Sequence, residues 1–322
     1  MHAAVLHTIG EAPRYEEFPE PVVNDKDAEV IVHVHAASLK PVDKQLAGGS
    51  HYASPRQLPS VCGTDGVGHL DDGQRVFFGG ARPPHGAMAE RTVVPRALTF
   101  AVPENLNDET AAARPNPAVS AWLALSHRAR LARGDNVLIL GATGVTGKLA
   151  VRAAKILGAA RVVAAGRNEQ ALKALRDQGA DAAISLAVPE NQVIEAFQRE
   201  AGEAGFQVVI DYVWGRPAEL FLAAITRKEF AAVKGETRFV QVGESAAPAI
   251  SLPAASLRST AIIIQGTAGI PPRDVLLEAF RQVMAYAARG DLQIDTECVP
   301  LRDIENAWQR NRPGRRLVIV TA

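Results

Sequence analysis

The chain has 322 residues, 47% of them apolar and 22% charged, with 35 basic side chains against 35 acidic ones. This is the composition of a folded globular protein long enough for two domains, and its balanced charge points to neither a nucleic-acid nor a membrane partner. No apolar run reaches the length of a membrane span, the first 20 residues carry no basic-then-apolar leader, and the only cysteines, Cys62 and Cys298, are too far apart in sequence to suggest a disulfide framework; a cytoplasmic protein with two buried thiols is expected.

In chain order, His2 to Leu6 reads as a first strand and Glu29 to Ser38 as a longer one. In the second, Val30, Val32 and Val34 alternate with Ile31, His33 and His35, the period-two pattern of a half-buried strand with both histidines on its wet face. A short helix and loop follow over LKPVDKQLAGGSHY, then short strands around VGHLDD, QRVFF and AMAERTVV, punctuated by Gly and Pro. Pro115 and Pro117 mark a boundary, after which VSAWLALSHRA starts a helix. Beyond it strands at 137–140, 161–165, 182–185, 207–213, 238–242 and 261–266 alternate with helices at 147–157, 169–178, 190–200, 217–226 and 273–289, an alternation that implies a doubly wound parallel sheet. Gly158, Gly179 and Gly290 fall where helices should stop. The tail returns to short mixed pieces. The expected organisation is a mostly β domain over 1–117, an α/β nucleotide-binding domain over 118–266, and a segment, 267–322, that completes the first domain.

The stretch VLILGATGVTG, Val137 to Gly147, carries the clearest chemistry. Four apolar residues suit a strand buried on both faces, and a helical run follows the glycines at 141, 144 and 147. Glycine permits a tight turn and close approach of a pyrophosphate to the backbone, while the helix N-terminus offers free N–H groups and a favourable dipole. The candidate cofactor-binding residues are Gly141, Ala142, Thr143, Gly144, Val145, Thr146 and Gly147. An NAD-binding unit carries an acid about 20 residues further on, to hold the ribose hydroxyls. Here Gly166, Arg167 and Asn168 stand after the second strand, and an Arg fork suits a 2′-phosphate, which a carboxylate would repel. The alternative is a solvated loop charge. NADPH is the expected cofactor.

Several further segments, ASLKPVD at 37–43, CGTDGVG at 62–68, GQRVF at 73–77, DYVWG at 211–215, FVQVG at 239–243 and PLRDIENAW at 300–308, together with the glycine turn, resemble the zinc-independent quinone oxidoreductase branch of the medium-chain dehydrogenase/reductase superfamily, in the family's order. The resemblance implies a Rossmann doubly wound parallel sheet plus a GroES-like, mostly β catalytic domain, and a homodimer. It also implies that Val242 and Gly243, after the fifth strand, border the nicotinamide. In the alcohol dehydrogenases of this superfamily a Cys stands at the position matching Lys40 and a His-Glu pair at those matching Thr64 and Asp65, and the third zinc ligand, usually a Cys, falls near Ala113 to Pro117, where this chain has none. Lys and Thr are poor zinc ligands, so no metal is expected.

Without a Lewis acid, the implied reaction is hydride transfer from NADPH to an acceptor that is already polarised, a quinone or enone. The candidate catalytic residues are Lys40, Asp43 and Tyr52, with Gln45 and His51 beside them. Lys40 either stabilises developing negative charge or ties structurally to Asp43. Two other readings stand beside this one. An enoyl-thioester reductase would need a basic path for CoA phosphates, for which Arg312, Arg315 and Arg316 are the candidates. A catalytically idle NADPH-binding protein, like relatives used as crystallins, would need only the cofactor site.

Overall fold

A computed structural model describes residues 1–227, 235–267, 269, 271–310 and 314–321. The chain forms two compact units, one from Met1–Asn116 with Gln293–Ala322 and the other from Pro117–Leu292.

The second unit is built on a six-stranded parallel sheet among the described residues. Its spatial order is Ala182–Ser185, Arg161–Gly166, Asn136–Leu140, Val208–Asp211, Thr237–Gln241 and Ile262–Gly266. In chain order these are the third, second, first, fourth, fifth and sixth strands. The direction of winding therefore reverses between the first and the fourth, and in such sheets ligands bind beyond the C-terminal strand ends at that reversal. Val137 to Leu140 are all 0% exposed, as a strand covered on both faces requires. Helices Val145–Ile156, Glu169–Asp177, Glu190–Ala201, Gly215–Ile225 and Arg273–Ala288 lie within two residues of their expected bounds. Gly158, Gly179 and Gly290 follow three of them with φ of 96°, 114° and 81°, the left-handed conformation that ends a helix cheaply only at glycine.

The first unit holds a sheet in the order Asp295–Pro300, Arg315–Val320, Glu29–Leu39, Asp65–His69, Arg75–Gly79 and Thr99–Ala101, with Arg91–Pro95 also paired to Glu29–Leu39. A small second sheet joins Arg14–Glu17, His2–Leu6 and Ser60–Val61. The long strand Glu29–Leu39 shifts register between Val34 and Ala36, which lets its two halves serve different partners. Val30, Val32 and Val34 are buried and His33 and His35 exposed, so the alternation holds. The histidines bond to Asp71 and Asp108, each at 2.9 Å.

Three expectations are corrected. The chain re-enters the first unit at Gln293 rather than at 267, because the helix Arg273–Ala288 packs in the nucleotide-type unit; Tyr286 lies 5.5 Å from Trp122, ring to ring. Cys298 is exposed, because its strand is the outermost of its sheet; Cys62 is buried. A helix, Asp108–Ala113, stands where none was read, started by Asn107, whose side chain accepts from Thr110 N.

Candidate functional site

Two groups of residues carry chemistry, one in each unit. In the second unit, Gly141 has φ of 81° at the end of the first strand, and Gly144 N-caps the helix Val145–Ile156 without a side-chain cap. The first N–H groups of that helix have no partner within it. Gly147 allows the crossing of helix and turn: a Cβ there would lie 2.3 Å from Gly141 O and 2.6 Å from Ala142 Cα. At Gly144 the nearest atom would be Gly141 O, at 3.4 Å, so that side of the turn stays open. Ala142 and Gly147 are buried, Thr143, Val145 and Thr146 half-buried, and Gly144 exposed.

Gly166 ends the neighbouring strand against the Thr143 side chain. Arg167 follows it, exposed and without an ion-pair or hydrogen-bond partner among the described residues. Asn168 instead serves locally: its Oδ1 accepts from Ala171 N at 2.9 Å and caps the next helix. Val242 and Gly243 donate their N–H groups to Asp211 O at 2.8 and 3.1 Å. The lack of a side chain at Gly243 has a packing reason of its own, since a Cβ there would stand 2.7 Å from Tyr212 O. Asp211 is fully buried; its Oδ1 accepts from Val213 N and Trp214 N, its Oδ2 has no partner among the described residues, and burial raises its carboxyl to about 6.

In the first unit, Lys40 is the N-cap of the helix Pro41–Ala47, with the extended backbone that a following proline favours. Asp43, at the third helical position, accepts from Lys40 N at 2.8 Å and from Thr64 N at 3.1 Å. The Lys40 ammonium turns inward. It donates to Ser38 O at 2.9 Å, Ser38 Oγ at 3.2 Å and Asp65 Oδ1 at 3.0 Å, and lies 3.3 Å from Asp43 Oδ2. Its side chain is 1% exposed, so its hydrogens are spent inside the unit.

Asp65 Oδ2 accepts from Thr64 Oγ1 at 3.2 Å and from Asn116 Nδ2 at 3.0 Å. Burial drives the Asp65 carboxyl well above the usual range and Asp43 adds to the rise, against the pull of Lys40. Two carboxylates share one ammonium in direct contact. The second cation, Arg316, is buried nearby but donates its Nη1 to Leu39 O at 3.3 Å. The Cys62 thiol, buried and close to Asp43, is pushed up to about 12.

A cavity of about 480 Å³ lies within this unit, with Leu46, Tyr52, Arg56, Cys62, Thr64 and His85 among its lining residues. Tyr52 is 89% exposed, its ring tilted by 31° to that of His51 with centroids 4.1 Å apart. Thus Lys40 and Asp43 are brought together, while Tyr52 stands apart on the cavity rim. The sequence reading missed Asp65 and Ser38 as partners of Lys40, and Asn116 as a partner of Asp65. The available signal was the departure at Lys40 and Thr64 from the Cys and His of zinc-dependent relatives, with an acid, Asp65, beside the second.

A family model described as zinc-binding dehydrogenase matches residues 145–286. Over 250 residues, 74% of this chain and 66% of the relative, the sequence is 30% identical to quinone oxidoreductase-like protein 2 of Bos taurus. The solved structure of a quinone oxidoreductase from Thermus thermophilus, determined also as its complex with NADPH, matches with a TM-score of 0.78 at 28% identity, covering 99% of this chain and 100% of that one. The chain belongs to the medium-chain dehydrogenase/reductase superfamily, in its quinone oxidoreductase branch.

A mycobacterial quinone oxidoreductase, with a TM-score of 0.82 at 22% identity over 99% of each chain, has the same fold. The chain spans 66% of the bovine relative and 55% to 58% of other mammalian relatives. The stretch matched by the family model lies wholly in the second unit. At the positions matching zinc ligands, an ammonium offers no lone pair and the Thr64 hydroxyl donates to Asp65, so this donor set does not fit zinc. Among the described residues no group of three His, Cys, Asp or Glu side chains is arranged to hold a metal, and no helix is long and apolar enough to cross a membrane. Of the basic residues weighed for CoA phosphates, Arg316 is buried, Arg315 faces Glu297 at 4.0 Å, and Arg312 lies outside the described residues.

Proposed function

We propose that this reductase uses NADPH to reduce a quinone or another conjugated carbonyl acceptor, without a metal. The observation that carries the reading furthest is Arg167, exposed and without a partner among the described residues at the end of the strand beside the glycine turn, where an NAD-binding unit would present a carboxylate. The backbone from Gly141 to Gly147 would hold the pyrophosphate, and Arg167 the 2′-phosphate by charge-assisted hydrogen bonds. Val242 and Gly243, fixed through Asp211, would border the nicotinamide. When bound, NADPH supplies the hydride; the acceptor oxygen then needs a proton.

The acceptor would occupy the cavity beside Thr64, with Tyr52 on its rim. Lys40 and Asp43, both buried, would fix the cavity floor from behind and touch no substrate. The quinone class is supported by the names of the relatives, and metal independence by a donor set unsuited to zinc. Action in the cytoplasm as a homodimer completes the reading.

The test is consumption of NADPH and of NADH with a panel of quinones, enones and enoyl-CoA esters, alongside elemental analysis. Oxidation of NADPH by quinones, at less than one zinc per chain and unaffected by chelators, is the expected result. A preference for enoyl-CoA esters would favour the thioester reading. Tight NADPH binding with no turnover on any acceptor would leave an idle binding protein.

A further inference from the structure

The acceptor of a hydride needs a proton, and the groups lining the cavity differ in their fitness to deliver it. Tyr52 is 89% exposed on the rim. The Cys62 thiol, at about 12, is a weak acid and buried. His85 directs Nε2 at Pro19 O, 3.4 Å away; its Nδ1 is buried, and burial holds its imidazolium below the ordinary range. Thr64 is different. It lines the cavity, is half-buried, and its hydroxyl is 3.2 Å from Asp65 Oδ2. It is the member of the buried charge cluster, besides Cys62, that also forms the cavity wall.

We propose that Thr64 and Asp65 deliver the proton to the acceptor, Thr64 as the residue that touches it and Asp65 as the carboxylic acid behind. The inference rests on the functional reading above. As hydride arrives on the acceptor carbon, its oxygen becomes an anion. With the proton on Asp65 the bond to Thr64 runs the other way, Oδ2–H donating to Oγ1 and the Thr64 hydroxyl turned to the acceptor; the Thr64 O–H bond breaks and its proton forms a new O–H bond on that oxygen, while the Asp65 proton moves from Oδ2 to Thr64 Oγ1. One hydride and one proton have entered the acceptor, and Asp65 is left as a carboxylate. Lys40 on Oδ1 and Asn116 on Oδ2 hold that carboxylate in place. Water entering the cavity after product release returns the proton by the same route.

The cluster is built for a proton that comes and goes. Lys40 and Thr64 bond to Asp65 directly, Asp43 acts on it through its charge, Arg316 acts on it from the strand Arg315–Val320, and Asn116 is neutral. With two carboxylates around one directly bonded ammonium, one carboxyl is disposed to keep a proton. The oxygens of Asp43 accept from the backbone N–H groups of Lys40 and Thr64, whereas Asp65 Oδ2 faces the Thr64 hydroxyl. A carboxylic acid held protonated by burial loses its donor function as pH rises through its raised value. The rate should therefore fall on the alkaline side.

The experiment compares Thr64→Val, which keeps the branched shape, with Thr64→Ser, which keeps the hydroxyl, using NADPH and the best quinone found. Thr64→Val should lower kcat by about a hundredfold with KM little changed, as loss of a general acid does. It should also abolish the alkaline fall of kcat, and Thr64→Ser should restore both. Infrared difference spectra of the free protein give a reading independent of turnover: a protonated carboxyl band that titrates in the wild type and is missing from Asp65→Asn. Wild-type kcat and solvent isotope effect in Thr64→Val, or an Asp65 ionised throughout, would overturn the proposal. A wild type showing that band but oxidising no NADPH on any acceptor would defeat the functional reading, and the relay with it.

Discussion

The glycine turn of the second unit and the charge cluster of the first are built on opposite principles. Gly141 to Gly147 works by leaving groups free: helix N–H donors without partners, an open face at Gly144, and Arg167 with nothing to bind within the described residues. The cluster around Lys40 works by using its groups up, with the ammonium enclosed by Ser38, Asp43 and Asp65. A free group adds affinity for a ligand and costs the fold little when removed. A saturated buried group adds little affinity, and its removal leaves partners charged and unpaired.

Lys40→Met puts the largest strain on that contrast. It leaves Asp43 and Asp65 buried without their shared ammonium, and breaking such a pair costs about 3–5 kcal/mol. Denaturant unfolding should show a loss of that order; unchanged stability would mean that the ammonium does not tie the unit together. Asp211 comes next. Its folded value of about 6 lies above the ordinary 3.8, so the folded state holds the proton more tightly and stability falls as pH rises from about 4 through about 6. Asp211→Asn should remove that dependence, gaining at most ~3 kcal/mol above pH 7 and nothing below pH 4. Melting curves across that range would check it.

On the free side, Arg167→Ala should weaken NADPH by about ten- to a hundredfold, the worth of one charged hydrogen-bonded contact, and leave NADH binding and the melting temperature unchanged. Equal losses for both cofactors in fluorescence titrations would remove the assignment. The smallest effect belongs to Tyr52→Ala, which should alter stability by less than ~0.5 kcal/mol because the side chain is already in water. Any change should appear in KM for the acceptor.

What could be read from the sequence follows the same division. The turn was legible because its chemistry is local: strand, glycines and helix are contiguous, and each glycine answers to backbone geometry within seven residues, Gly141 to Gly147. The α/β alternation was legible for the same reason. The Lys40 cluster was not, because its bonds join residues 25 apart (Lys40 and Asp65), 51 apart (Asp65 and Asn116) and 277 apart (Leu39 and Arg316). Lys40 and Asp43 were singled out, but nothing in LKPVD says that the ammonium turns inward. Asp108–Ala113 was too short for a helical period to show, and Arg14–Glu17, a charged edge strand, has no alternation to betray it.

The first unit closes only when the strand Arg315–Val320 pairs antiparallel with Ala36 to Leu39, across nearly the length of the chain. On a ribosome adding about 5–20 residues per second, Lys40 and Asp65 wait tens of seconds for Arg316. The second unit is contiguous and free to fold in that interval. The front sheet meanwhile keeps a long edge open beside Glu29–Leu39, with two acids and a single cation at its heart. Nascent chains halted before residue 315 should therefore be protease-sensitive in the front segment and protected in the middle one.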